Sequence, residues 1–166
     1  ELEYKTFALD KEQINLINDI SYGHRLILAN PGAGKSVILL AKAFRMCKIY
    51  EEEKVLVTCF NNNLSQSYRF RSACSGFTDS DNLYISTFHK VVLDIVRDVL
   101  KKRYTINDFD KALDDLENAI DNKKIQLRFK AIFIDEVQIF QPRWLDICYK
   151  LLQEGDNSIF LMAGDI

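Results

Sequence analysis

Five short apolar runs, each separated from the next by residues of helical character, constrain this chain most. They are RLILA (25–29), KVLVTCF (54–60), NLYISTF (82–88), FKAIFID (129–135) and SIFLMAGD (158–165). These runs are close to continuously apolar, which a strand with one wet face is not. Such strands must be covered on both sides, and alternation with helices then builds a parallel sheet with helices on its two faces. The expected helices cover 10–20 with Asp10 as N-cap, 36–50, 64–73, 91–104, and a segment opening at Asn107 as N-cap. The last two form a helical insertion, residues 91–127, inside a single α/β domain spanning 1–166.

Bulk composition excludes more than it assigns. With 22 basic against 24 acidic side chains the net charge is -2, so any nucleic-acid contact must come from a local patch. Lys101, Lys102 and Arg103 form a small basic run that reads first as a solvated helix face. Cys47, Cys59, Cys74 and Cys148 show no C-x-x-C pairing and read as buried reduced thiols rather than zinc ligands. No secretory leader pattern heads the sequence and no apolar run approaches a membrane span. A cytoplasmic setting with no membrane partner is therefore expected.

The first apolar run leads into LILANPGAGKSVILL, which fits the phosphate-loop pattern G-x-x-x-x-G-K-[ST] except that Ala29 stands at the first Gly. Strand, glycine-rich turn and helix follow in the order the chemistry requires. Backbone amides across Asn30, Pro31, Gly32, Ala33 and Gly34 can turn toward phosphate oxygens. The helix N-terminus adds partial positive charge. Lys35 is placed for the β- and γ-phosphates of ATP, and Ser36 for Mg²⁺. Further on, the fourth apolar run delivers Asp135 to the carboxyl edge of the sheet, where it can hold the same Mg²⁺. Glu136, one residue later, is the candidate general base.

Together these segments resemble the N-terminal RecA-like motor domain of a superfamily 1 helicase of the UvrD/Rep-like group. That group often opens its phosphate loop with Ala and carries a D-E-x-Q acid box, matched by Asp135, Glu136, Val137 and Gln138. The resemblance implies that Gln13, in LDKEQ, reads adenine, and that Asp165, in LMAGDI, links the γ-phosphate site to the nucleic-acid track. It implies single-stranded DNA or RNA contacts from Thr58, Phe60 and Asn61 in VLVTCFNNN, and from Ser86, Thr87, Phe88 and His89 in ISTFHK. The implied fold is a P-loop NTPase, and the implied activity is ATP-dependent translocation on one strand. A regulatory helicase-like ATPase without unwinding is the alternative, favoured by an insertion shorter than the large helicases carry. The resemblance implies a second RecA-like domain, with its arginine finger, expected in a longer parent chain; this chain by itself is expected to bind nucleotide without acting as a motor.

Overall fold

The computed structural model describes residues 22–29, 34–74 and 82–165. The described residues form five strands: β1 (Gly23–Ala29), β2 (Val55–Cys59), β3 (Leu83–Thr87), β4 (Ala131–Ile134) and β5 (Ile159–Asp165). The described helices are α1 (Lys35–Ile49), α2 (Asn62–Cys74), α3 (Phe88–Val99), α4 (Phe109–Asp121) and α5 (Pro142–Lys150). All strand pairs are parallel, in the order β1-β5-β4-β2-β3. The chain is thus an α/β domain with the parallel sheet expected from its runs and the RecA-like arrangement implied by the resemblance.

Period-two alternation explains why each strand reads as apolar throughout. Val55 and Val57 of β2, Phe133 of β4 and Leu161 of β5 pack against Leu39, Ala43 and Met46 of α1. On the opposite face Leu56, Ile132, Ile134 and Phe160 meet Val92 and Val96 of α3, Leu116 of α4, and Ile147 of α5. The segment 91–127 therefore supplies much of the helical layer over one face. β5 lies between β1 and β4, so the end of β5 falls between the phosphate-loop strand and the acid-pair strand.

Several boundaries differ from those expected. The third strand ends at Thr87, whose side chain accepts from the Lys90 N–H and starts α3 at Phe88. α3 stops at Val99 instead of continuing to residue 104. Its apolar stripe runs out at Leu100, and Lys101 turns left-handed with φ 59. Asn107 is not the N-cap of the next helix; it lies in a 3-10 turn, Ile106–Asp108, and Asp108 takes the cap position. The sequence reading passed over α5, where Pro142 sits in the first turn and Trp144, Ile147 and Cys148 are buried. The helix expected at 10–20 lies outside the described residues. Cys47, Cys59 and Cys148 are buried and form no disulfide, as anticipated.

Candidate functional site

α1 begins where Gly34 takes φ 84 and ψ 13. This left-handed geometry is open to glycine and strained for a residue bearing a Cβ. The next residue, Lys35, points across the sheet edge and ion-pairs through Nζ with Asp165 Oδ1. β1 and β5 pair in register with Ala29 opposite Asp165, so the partner of Lys35 is set by the ladder itself.

Asp135 follows β4, and its own N–H donates to the Thr58 carbonyl at 3.0 Å, carrying the β2–β4 pairing one residue further. Its side chain is fully buried. A buried carboxylate is costly unless it is hydrogen-bonded, and here both oxygens are engaged. Oδ2 accepts from Ser36 Oγ at 2.5 Å and from the Tyr68 hydroxyl, while Oδ1 accepts the Glu136 N–H at 2.8 Å. Burial, followed by the adjacent Asp135 charge, pushes the Tyr68 phenol well above its ordinary range. Tyr68 was not foreseen; it lies on α2 at helical spacing from buried Ser65, a pattern that marks a core face but names no partner.

Glu136 adopts left-handed φ 53 and ψ 47. For a residue with a Cβ this costs on the order of 1–3 kcal/mol and is found mainly at functional sites. Burial raises its carboxyl above the ordinary glutamate value, the Asp135 and Asp165 charges raise it further, and Lys35 opposes them. Gln138 is also tied in. Its Nε2 donates to Asp165 Oδ2 at 3.4 Å, and its Oε1 accepts the Asp165 N–H at 3.2 Å. Gly164 permits this closeness, since a Cβ there would lie 2.8 Å from Gln138 Oε1.

The donor set suits Mg²⁺. A hydroxyl and a carboxylate oxygen converge to 2.5 Å at a helix N-terminus. Mg²⁺ is commonly held by one or two such protein oxygens with substrate phosphates completing the shell. In keeping with that, the described residues contain no cluster of three or more His, Cys, Asp or Glu able to cage a metal. Gln13, Asn30, Pro31, Gly32 and Ala33 lie outside the described residues.

The residues expected to face nucleic acid divide into two groups. Thr58, Ser86 and Phe88 are each fully buried. Phe88 packs among Phe109, Phe140 and Trp144, so the stacking role expected of it is corrected to a core role. Ser86 accepts from Arg69 Nη2 at 3.3 Å. Nearer the surface, Phe60 is 42% exposed and lies flat on Trp144, at 5.9 Å and 11° between planes. Asn61 is exposed, its Oδ1 accepting the Asn63 N–H at 2.8 Å. Thr87 caps α3, and its neighbour His89 is half-buried 4.1 Å from the Phe109 ring. Burial lowers the His89 pKa below 6.5, which favours the neutral imidazole.

The fold has counterparts among known proteins. The fold is similar to the UvsW helicase from bacteriophage T4, at TM-score 0.54 and 14% identity, covering 93% of this chain and 52% of that one. It is also similar to the NS3-like helicase from Alongshan virus, at TM-score 0.51 and 9% identity, covering 85% of this chain and 32% of that one. The chain thus spans about half or less of each of these proteins. No curated protein matches the sequence. The UvrD/REP helicase N-terminal domain matches residues 9–124, and the chain belongs to that family of helicase motor domains.

Proposed function

We propose that this chain is the ATP-binding half of an ATP-dependent superfamily 1 helicase or translocase, coupling Mg-ATP hydrolysis to movement on single-stranded DNA or RNA. The observation that carries this reading is the meeting of Lys35, Ser36, Asp135, Glu136, Gln138 and Asp165 at one sheet edge, drawn from segments up to 130 residues apart. Lys35 binds the β- and γ-phosphates, exchanging its Asp165 partner for phosphate oxygens. Ser36 and Asp135 hold Mg²⁺, which when bound offsets the charge building on the transferred phosphoryl group. Glu136 orients the attacking water and takes its proton. Its left-handed backbone sets the direction in which its side chain leaves the chain. Gln138 and Asp165 relay the state of the phosphate site toward the strand-binding face.

A second RecA-like domain of the same parent protein is the partner that completes the cleft and supplies an arginine. In related phosphoryl-transfer systems such an arginine is worth about 10³ to 10⁵ in rate. The setting we assign is cytoplasmic, where Cys47, Cys59 and Cys148, which form no disulfide, would stay reduced. One observation favours the alternative of a regulatory ATPase without unwinding. α3 and α4 are absorbed into the sheet's own core, and among the described residues no separate insertion body stands apart from it. The test is equilibrium binding of a fluorescent ATP analogue with Mg²⁺. Binding lost in Lys35→Ala with the fold intact supports the reading; unchanged affinity overturns it.

A further inference from the structure

A groove of about 740 Å³ opens beside the aromatic cluster, within the roughly 300–1,000 Å³ span of ligand-sized sites. One wall is the surface already considered, with Phe60, Thr87 and His89. The other wall comes from the segment the sequence reading treated as solvated: Arg97 on α3, then Arg103, Tyr104 and Ile106 from the turn between α3 and α4. We propose that this turn is the second wall of a single-stranded nucleic-acid groove, with Arg103 binding a backbone phosphate and a base resting between Phe60 and Ile106. This rests on the reading of the chain as a strand-binding motor and adds a site to it.

Three observations carry it. The turn is pinned from both sides of Arg103, because Lys102 Nζ and the Tyr104 hydroxyl both donate to Asp115 on α4, at 3.2 and 2.6 Å. Among the described residues Arg103, exposed between them, has no hydrogen-bond or ion-pair partner, so its guanidinium stands at the groove without a counter-charge there. By contrast Lys90 and Arg97 are already engaged with Asp94.

The groove also presents flat or apolar surface. Phe60 is 42% exposed with its inner face backed by Trp144, and Ile106 is 58% exposed. Base stacking on such a platform contributes about 1–3 kcal/mol per base and tolerates any sequence. Charge selects this occupant over a protein segment. The lining holds Lys90, Arg97 and Arg103 with Asp94 as its one carboxylate. Asp94 pairs with Lys90 and Arg97, Asp98 from outside the lining also pairs with Arg97, and Arg103 remains as the surplus cation. A polyanion carrying planar rings matches both the excess of cations and the exposed aromatic face.

The experiment is fluorescence anisotropy of labelled oligo-dT and oligo-U on the full-length protein across a salt series, with Arg103→Ala and Phe60→Ala. Arg103 is exposed and has no hydrogen-bond or ion-pair partner among the described residues, so its removal is expected to leave the melting curve unchanged. The expected result is affinity weakened about three- to tenfold in Arg103→Ala, with a salt slope shallower by about 0.7, the value for one single-strand phosphate. Loss in Phe60→Ala with none in Arg103→Ala overturns this second wall and leaves strand binding standing. No loss in either variant overturns both. Tighter binding to a duplex of equal length also overturns the proposal, since a splayed base could not then occupy the groove.

Discussion

Tyr68 and Asp135 meet inside the domain, the phenolic hydroxyl donating to the same carboxylate oxygen that accepts the Ser36 hydroxyl. One side chain comes from the helix after β2 and the other from the end of β4, so a structural hydrogen bond fixes the acid proposed to hold Mg²⁺. Tyr68→Phe removes the donor and keeps the ring. A hydrogen bond to a charged group contributes about 1.5–3 kcal/mol, and urea unfolding should show a loss of about that size. An unchanged midpoint would mean that Ser36 and the Glu136 N–H satisfy Asp135 without it.

Gly164→Ala tests the coupling between β5 and the acid box. The new methyl would lie 2.8 Å from Gln138 Oε1 and 3.0 Å from Val137 Cγ1, so the Gln138 amide must swing away and the Val137 side chain must give. Overpacking of this kind costs about 1–3 kcal/mol. The expected outcome is a lower Tm and a Gln138 amide displaced from Asp165, visible as a changed side-chain amide signal in NMR spectra.

Glu136→Gln separates charge from shape. The folded state raises the Glu136 pKa above 4.5, chiefly through burial, so its ionised form is disfavoured relative to the unfolded chain. That disadvantage is absent while both states are protonated and enters as pH rises through the raised folded value. The variant should therefore melt higher than the parent at pH 7, with the difference closing toward pH 4. Equal melting curves at both pH values would remove the case for a desolvated carboxylate.

His89 makes a prediction of opposite sign. Its folded pKa lies below the ordinary 6.5, so between the two values the unfolded chain binds more protons than the native one. Stability contributed by neutral His89 is full above about 6.5 and falls as pH drops through that window. Denaturation at pH 7.5 and 5.5 should show a smaller acid-induced loss in His89→Phe than in the parent, provided the larger ring is accommodated beside Phe109 and Trp144.

How far the sequence could be read depended on the range of the forces involved. The strands were legible because each is buried on both faces, as with Val55, Leu56 and Val57, and burial leaves a continuous apolar signature. Their order was not legible, since nothing local in SIFLMAGD says that it inserts between β1 and β4. Lys35, Ser36, Asp135 and Glu136 stood out through spacing and position at strand ends. The Tyr68 hydrogen bond did not, because it joins residues 67 apart with no motif between them. Phe88 shows the opposite error: TFH matched a family pattern, but the Thr87 cap begins α3 there and rotates the ring into the core. The end of α3 was missed because Lys101, which breaks it with a left-handed turn, is neither glycine nor asparagine.

The most direct measurement is ATP hydrolysis by the full-length protein with Mg²⁺, with and without single-stranded oligonucleotide, compared with Glu136→Gln. The expected result is turnover stimulated by the strand in the parent. The variant should show that turnover lowered by about two or more orders of magnitude, with nucleotide still bound. Turnover retained in Glu136→Gln, or hydrolysis indifferent to the strand, would contradict the proposal that this edge of the sheet drives a nucleic-acid motor.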